Sequence, residues 1–317
     1  MAFEVTTTAA NDIVQTEAIT QAFLDFAMDA AVAIPLFHYD GSLLPSGTGN
    51  KLQVPYMSGA VPTANDNGAW ADTEYDAAEG VALSNAALTT GSATCTVGEY
   101  GYMVTVTDNI GEDSAIAGAF YAELSMTAAK VIMGAKEVDA CGLFAGLSNG
   151  VGSSGVNISV AIAVSMLDGV RTRGYHSSIG GAFVFDDVTW ADLRDLLIAT
   201  GTSWAVYPGL AEKFLGAGPT SDQGLANGLV GSFLNQPCFV TGQTPTANGG
   251  ADVVSAFFLP AGPGNERSAT FGYVDKRPLR LRTQETVEGR GVKMVWSSRS
   301  GVFERIDGAG TKAVTDA

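Results

Sequence analysis

The sequence DSAIAGAFYAELSMTAAKVIMGAKEVDACGLFAGL, residues 113–147, is the longest stretch of the chain with one unbroken helical pattern. Apolar residues recur in it at steps of three or four, which places them on one face of an α-helix. These residues are Ile116, Phe120, Leu124, Ala128, Val131, Ala135, Val138 and Cys141. Asp113 and Ser114 are candidate N-caps, and Ser148–Gly150 can end the helix. A helix of this length measures about 50 Å, which predicts a spine that several other elements cross.

Two strand-like segments precede this spine helix and are separated by a long insertion with few core-forming residues. The first, KLQVPY at 51–56, contains Pro55, which fits an edge strand. In the second, SATCTVGEYGYMVTVTD, the residues Tyr102, Val104 and Val106 alternate with polar or small ones, as in a half-buried strand. An insertion so poor in apolar residues cannot bury itself. We therefore expect a long β-hairpin that projects from the body.

The region after the spine helix alternates helices and strands, which is typical of an α/β layer. A helix is predicted over residues 159–173, with Val160, Val164, Leu167 and Val170 facing inward. The run TWADLRDLLIATG predicts a second helix, with Thr189 as N-cap. The predicted strands of this region are AFVF, LVGSFL, CFVT and VVSAFFL.

The last fifty residues are strand-like and are interrupted by glycines. The segments are ATFGYV, LRLRTQETV, GVKMVWS and GVFERI. Such strands need a helix to cover one face, and the spine helix is the natural candidate.

Charge is scarce and unevenly distributed in this 317-residue chain, of which 16% is charged and 46% is hydrophobic. Residues 1–170 contain 19 acidic and three basic residues, whereas residues 171–317 contain 14 of each. The net charge of −16 argues against general binding to nucleic-acid phosphates and to anionic membranes. So few charges indicate that part of the surface is covered by other subunits.

Cellular location is predicted from cysteine usage and from the N-terminus. The three cysteines are widely spaced and form no CxxC pair, which favours a reducing interior over secretion. The first residues carry no basic group, so a signal-peptide pattern is missing, and no apolar run reaches the length of a membrane span. We expect a protein that is made and kept in the cytoplasm, without contact to a membrane.

Motifs of catalysis or metal binding are missing from the sequence. His38 and His176 are the only histidines, and HExxH and the Walker pattern do not occur. A GxGxxG spacing at 150–155 follows a helix instead of a strand, which favours a flexible connector over a dinucleotide site. A hydrolase using Asp186 and Asp187 is an alternative, but a role at the start of a helix explains both residues more simply. We expect no enzyme, and no catalytic, metal or cofactor site.

An acidic run lies at the tip of the predicted hairpin and consists of Asp72, Glu74, Asp76 and Glu79. The run has three interpretations: a solvated face, an ion pair with a neighbouring subunit, or a calcium-binding loop. For the calcium-binding loop, a turn glycine and a terminal glutamate are missing from the positions where such a loop requires them. The natural partner for an ion pair is the segment DKRPLRLR. Its candidate contact residues are Lys276, Arg277, Arg280 and Arg282. Arg280 and Arg282 share one strand face, so they present a pair of cations.

The order of these parts resembles the major capsid protein of tailed double-stranded DNA phages, which has the Johnson fold. The segment TCTVGEYGYMVTVTD, which leads into the spine helix with Asp139 near its end, resembles the family's hairpin limb and peripheral-domain helix. The segment GLVGSFLNQPCFVTGQTP resembles an axial-domain hairpin, with Asn235 where glycine is common at the turn. The segment RGVKMVWSSRSGVFERIDGAG resembles the family's closing β-hairpin.

The resemblance implies an α+β fold divided into four parts. These are an N-terminal arm (1–37), an extended β-hairpin loop (38–100), a peripheral domain (101–157 and 268–317) and an axial α/β domain (158–267).

The implied function is structural: hexamers and pentamers that close into an icosahedral shell around double-stranded DNA, without sequence-specific binding. The expected location is the virion, with assembly in the bacterial cytoplasm. A separate scaffolding protein, a portal and a decoration protein are the expected partners. Covalent cross-linking through a hairpin lysine is not expected, because no lysine lies between Lys51 and Lys130. An encapsulin-like compartment and a β-rich extracellular array protein are the alternatives.

Overall fold

The structure is a computed structural model, and it describes ten parts of the chain. These are residues 31–40, 49, 51–58, 89–107, 117–173, 180–199, 229–234, 236–261, 269–286 and 291–316. The helices within these ranges are α1 (Ala117–Gly142), α2 (Val160–Arg171) and α3 (Asp187–Ala199).

Thirteen strands lie in the described parts of the chain. In the first half they are β1 (His38–Tyr39), β2 (Lys51–Ser58), β3 (Thr89–Thr96), β4 (Gly98–Thr107), β5 (Gly150–Gly152) and β6 (Ala182–Phe185). In the second half they are β7 (Leu229–Phe233), β8 (Gln236–Val240), β9 (Thr246–Ala247), β10 (Asp252–Phe258), β11 (Phe271–Thr286), β12 (Gly291–Glu304) and β13 (Gly310–Asp316). The four predicted C-terminal segments merge into the two long strands β11 and β12.

A four-stranded sheet, in the order β1-β11-β12-β4, carries α1 on its inner face. Strand β12 pairs antiparallel with both long neighbours. Trp296 is fully buried between the sheet and the helix residues Ala128, Ala129 and Ile132. The small alanine side chains leave space between the helix and the sheet, and the large Trp296 side chain fills this space. The prediction that the spine helix covers the C-terminal strands is confirmed.

The second sheet has seven strands, in the order β5-β13-β10-β6-β8-β7, with β9 beside β10. Helices α2 and α3 cover one face, where Phe183, Phe185 and Phe257 stack in the core. The end of α1 and residues 31–37 cover the other face, which includes Phe258. The C-terminal strand β13 lies in this sheet, between β5 and β10, although the sequence grouped residues 268–317 with the four-stranded sheet.

A buried carboxylate fixes residues 31–37 at the junction of the two sheets. Glu137 is 1% exposed and accepts hydrogen bonds from the backbone N–H groups of Val32, Ala33 and Ile34 at 3.0, 2.6 and 3.4 Å. Burial raises the pKa of Glu137, and the three amide donors oppose this shift. Phe37 packs beside these residues against Phe258 and Phe271. The end of the predicted N-terminal arm is therefore part of the core.

The buried face of the spine helix agrees only in part with its prediction, since Ala128 and Cys141 are buried as predicted. Val131 and Val138 are 46% and 47% exposed, and Ala135 is exposed as well, whereas Lys136 and Glu137 are buried. The apolar repeat was misleading because these two charged side chains find partners on the inner side. The described helix ends at Gly142 and continues as a 3₁₀ turn over Leu143–Gly146. The predicted N-caps Asp113 and Ser114, like Ile116, lie outside the described residues.

Helix α3 begins two residues before its predicted N-cap. Asp186 caps it, because its carboxylate accepts a hydrogen bond from Val188 N–H at 3.0 Å and its carbonyl accepts one from Trp190 N–H. The prediction of Thr189 as N-cap is wrong, since Thr189 is buried inside the first turn. The suggested helix-start role is thus confirmed for Asp186. Asp187 is the first residue of the helix.

Two further features bear on the sequence predictions. The prediction of a flexible connector at 150–155 is wrong for Gly150–Gly152, which form β5 and pair with β13. Gly155 lies in the turn that follows, and α2 begins only at Val160, with Ser159 as its N-cap. The acidic run at 72–79 lies outside the described residues. No helix in the described ranges is long and apolar enough to cross a membrane.

Candidate intersubunit surface

The outer face of the four-stranded sheet, on the side opposite α1, is the surface that the sequence singled out. In β4 the residues Tyr100, Tyr102 and Val104 face the helix, and Met103 between them is 62% exposed. In β11, Leu279 and Leu281 face the helix, so Arg280 and Arg282 point outward. The pairing of Arg282 with Val295, and of Val295 with Met103, places all three on the outer face.

Basic residues dominate this outer face. They are Arg277, Arg280, Arg282, Lys293 and Arg299, spread over β11 and β12. Glu99 on β4 is the acidic residue opposite Arg299. In a chain with a net charge of −16, such a collection of cations makes a surface that attracts carboxylates. We call these five cations, with Met103 and Val295, the basic face.

The four predicted contact cations have different roles. Arg277 donates hydrogen bonds to Glu99 and to Ser297 and is therefore engaged within its own sheet. Lys276 donates to the backbone carbonyl of Gly49, at the start of the hairpin region. Arg280 and Arg282 are both exposed, which confirms the prediction that they share one strand face. Their proposed partners at 72–79 lie outside the described residues, so the contact itself stays a prediction.

Lys293 and Arg299 belong to the basic face but were missed from the sequence. Both stand in the alternating run VKMVWSSRS, in which Met294 and Trp296 are buried, so the odd-numbered residues face outward. The signal was present, because a period of two assigns every residue of a strand to a face once one of them is placed.

The base of the β2–β3 hairpin lies on the same outer face, at its other end. Strands β2 and β3 pair antiparallel from Lys51 with Thr96 to Ser58 with Thr89. The predicted second limb is therefore correct only up to Thr96, because its remainder forms β4 of the four-stranded sheet. Leu52, Val54 and Cys95 pack on Val274 and Phe303 of the sheet. A side chain at Gly301 would meet Cys95 Sγ at 2.7 Å and the Thr96 carbonyl at 2.8 Å, so this approach requires glycine.

On the inner face, Lys136 connects α1 to the sheet. Its Nζ lies 3.3 Å from the Tyr273 hydroxyl, 3.8 Å from Asp275 Oδ1 and 5.9 Å from the ring centroids of Tyr100 and Tyr273. Burial lowers the pKa of Lys136, and Asp275 opposes that shift. Tyr100 donates a hydrogen bond to Asp139, and burial raises the pKa of Tyr100. These contacts fix the helix on the inner side of the sheet.

The described residues offer little reactive chemistry. All three cysteines are buried and free. Burial raises the pKa of Cys95 to about 11 and raises those of Cys141 and Cys238 further, so none supplies a thiolate near neutral pH. Among the described residues, no group of three or more His, Cys, Asp or Glu side chains is arranged to hold a metal ion.

Several solved structures share this arrangement of elements. The capsid structure of the cyanophage P-SCSP1u is similar with a TM-score of 0.57 and 11% identity, covering 90% of this chain and 88% of that one. The SrpI encapsulin of Synechococcus elongatus PCC 7942 gives 0.58 and 11%, covering 89% and 86%. The capsid of an empty GTA particle gives 0.55 and 14%, covering 91% and 90%. No protein-family model and no curated protein matches the chain.

The chain therefore has the fold of shell-forming proteins, a mixed α/β fold of few helices and several sheets. More narrowly, it has the Johnson fold of tailed-phage capsid proteins, so the expectation from the sequence is confirmed at the level of the fold. The likeness extends over most of this chain and over most of each matched chain, and is not confined to one sheet.

Proposed function

We propose that this protein is the structural subunit of a closed icosahedral shell, assembled as hexamers and pentamers around double-stranded DNA. The observation that carries the proposal is the likeness of nearly the whole chain to capsid subunits of a cyanophage and of a GTA particle. The low proportion of charged residues supports it, because shell subunits cover much of their surface with neighbours. The subunit acts by assembly and not by catalysis, and its location is the virion.

The negative charge of the chain fits such a container. An acidic protein does not bind the phosphates of packaged DNA tightly, so the DNA stays free to leave. Assembly takes place in the host cytoplasm with a separate scaffolding protein, and a portal and a decoration protein complete the particle. None of these partners is needed for the first test, which concerns self-association.

The first experiment measures the mass of the purified chain by light scattering and its form by negative-stain microscopy, with and without co-expressed candidate scaffolding proteins. We expect rings or closed shells in at least one condition. Monodisperse monomers in every condition would count against the proposal.

The basic face supports a specific contact between subunits. The hairpin base leaves the sheet from the outer face, and the hairpin sequence carries Asp72, Glu74, Asp76 and Glu79 and no basic residue beyond Lys51. We place this acidic run of one copy against Arg280 and Arg282 of a neighbour, with Lys293 and Arg299 beside them. Each exposed pair contributes only about 0–1 kcal/mol, so the contact acts through repetition over many copies and through register.

Charge reversal tests this contact. Replacing Glu74 and Asp76 by Lys, or Arg280 and Arg282 by Glu, should impair assembly without changing the melting of unassembled chains. The combination of all four substitutions should restore assembly in part, because the pairs are re-formed with opposite polarity. Lys130→Glu with Arg194→Glu is a matched control, since both cations are exposed outside the basic face. Assembly that is unaffected by either reversal would disprove the contact while leaving the shell proposal in place.

A second candidate is an encapsulin-like compartment, which is favoured by the likeness to the SrpI encapsulin and to a virus-like particle from Pyrococcus furiosus. The two candidates share the shell and differ in what it encloses. Shells purified after nuclease treatment should hold protected DNA in the first case and a protein cargo in the second. Nucleic-acid absorbance and mass spectrometry of the contents distinguish them.

A further inference from the structure

The turn between β7 and β8 holds a leucine in a backbone conformation that leucine rarely adopts. Phe233 pairs with Gln236, and Leu234 lies in the turn between them. Leu234 has a φ of 51°, in the left-handed region. In this region the Cβ atom of an L-residue crowds its own carbonyl, and glycine and asparagine are the usual occupants. Among the described non-glycine residues, the other one with positive φ is Asn248.

The side chain of Leu234 is only partly buried within its own subunit. It is 45% exposed, although the hairpin strands on both sides are anchored in the core. Leucine therefore suits the backbone of this turn less well than glycine or asparagine, and almost half of its side chain is left exposed. A strained residue with so much exposed apolar surface points to a role outside the subunit.

The hairpin presents this leucine rigidly. Phe233 is 3% exposed and packs on Phe183, with ring centroids 5.8 Å apart. Gln236 is 6% exposed, and its Oε1 accepts a hydrogen bond from Gly181 N–H. A tip held on both sides in this way loses little conformational freedom when it binds, which favours association.

The sequence around the tip has the composition of an interface centre. Residues 223–251 contain no Asp, Glu, Lys or Arg, in a chain in which 16% of residues are charged. Depletion of charge is characteristic of the buried centre of protein interfaces. A long uncharged segment with an exposed leucine at its tip matches an equally uncharged surface, and the same segment on another copy provides one.

We infer that Leu234 is an apolar anchor that inserts into a neighbouring copy of this chain, against the uncharged residues 236–251. The inference rests on the proposed function, because it requires copies to meet, and it is independent of the basic face. It assigns to the β7–β8 hairpin a second intersubunit contact, which is apolar where the first is charged. The contact is therefore expected to persist at salt concentrations that screen ion pairs.

The test compares Leu234→Asn with Leu234→Met. Asparagine tolerates positive φ but removes the apolar tip, so it should leave the melting temperature of unassembled chains unchanged or raised. The concentration needed for half-assembly should rise about tenfold, as for the loss of a central interface residue. Methionine keeps the apolar tip and should assemble at nearly the wild-type concentration.

Val156→Asn is the matched control. Val156 is 44% exposed in a connecting segment with ordinary φ, so its replacement removes similar apolar area without relieving the backbone. It should leave both melting and assembly unchanged.

The outcomes separate the two proposals. If the wild-type chain never assembles, the shell function fails. If the wild type assembles and Leu234→Asn assembles at the same concentration, the anchor is wrong and the shell function stands. Melting of Leu234→Asn well below the wild type would also overturn the anchor, since Leu234 would then serve its own subunit.

Discussion

The two sheets of this protein bury their residues in different ways. In the seven-stranded sheet, every residue of β6 and of β10 is buried. In the four-stranded sheet, β4 alternates between residues that face α1 and exposed ones such as Met103. The first sheet has helices α2 and α3 on one face and the end of α1 with residues 31–37 on the other. The second has the helix on one face and, on the other, the hairpin base together with the exposed residues Met103, Arg280 and Arg282.

This difference separates residues that the folding of a single chain explains from residues that it does not explain. The composition of a sheet that is covered on both faces is explained by the stability of a single chain. Five cations on one face of a sheet are not explained in this way, because exposed charges add little to stability. The following predictions test this division, from the largest expected effect to the smallest, and all stabilities refer to unassembled chains because assembly itself stabilises the fold.

Phe257→Ala should have the largest effect. Phe257 is fully buried, lies 4.5 Å from Phe183 between ring centroids and covers Gly181. The cavity should lower the free energy of unfolding by about 3–5 kcal/mol in denaturant titrations. Phe257→Leu, which keeps most of the volume, should lose less. A loss below about 1 kcal/mol for the alanine variant would contradict the tight packing of this sheet.

Glu137→Ala should lower the free energy of unfolding by about 3 kcal/mol, because it leaves buried N–H groups at residues 32–34 without an acceptor. Hydrogen exchange at these three amides should accelerate more than exchange in the seven-stranded sheet. Glu137→Gln keeps an acceptor oxygen and should have a smaller effect. If exchange at residues 32–34 does not change, the carboxylate does not fix the junction of the two sheets.

Acid should weaken the end of the seven-stranded sheet through Asp252. Hydrogen bonds from Asn248, Ser154 and Gly155 hold the pKa of Asp252 below its ordinary value. Asp252 is then protonated at a higher pH in the unfolded chain than in the folded chain. Its contribution to stability is complete above the ordinary pKa of an aspartate and is lost as the pH falls through the lower pKa of Asp252 in the folded chain. Asp252→Asn should flatten the acid limb of the stability curve. An acid limb that is identical in both proteins would contradict this role.

Met103→Thr should have almost no effect on stability, within about 0.5 kcal/mol, because Met103 is exposed on the basic face. Val106→Thr, in the same strand, is the matched comparison. Val106 is 3% exposed, so its new hydroxyl loses solvation, and a cost of about 1–3 kcal/mol is expected in the same titration. Equal costs for the two variants would mean that the sheet has no open face.

The elements themselves could be predicted because their patterns are local. The alternation at Tyr102, Val104 and Val106 indicated a half-covered strand, and the run AFVF indicated a strand buried on both sides. The face of α1 could not be predicted in the same way. Apolar periodicity treats Lys136 and Glu137 as solvent-facing, whereas Tyr273, Asp275 and the amides of residues 32–34 provide partners that are distant in sequence.

The sheet membership of β13 and the extent of the basic face depended on pairings that are distant along the chain. Val314 of β13 pairs with Val254, and nothing in the local sequence GTKAVTD specifies that partner. Arg280 and Arg282 could be placed together because they are two residues apart, but Arg299 joins them only through the pairing of β11 with β12. At the β7–β8 turn, positive φ was expected at Asn235 and is observed at Leu234, while residue 235 lies outside the described residues. A two-residue turn can require positive φ at both positions.

The burial of all three thiols makes the protein convenient for chemical labelling. Because Cys95, Cys141 and Cys238 are buried and have raised pKa values, a maleimide at neutral pH should leave the native chain unmodified. A cysteine introduced at Met103, or at residue 234, would then be the reactive position of the folded protein. Its protection from the reagent as subunits associate would report, one position at a time, which surface becomes covered.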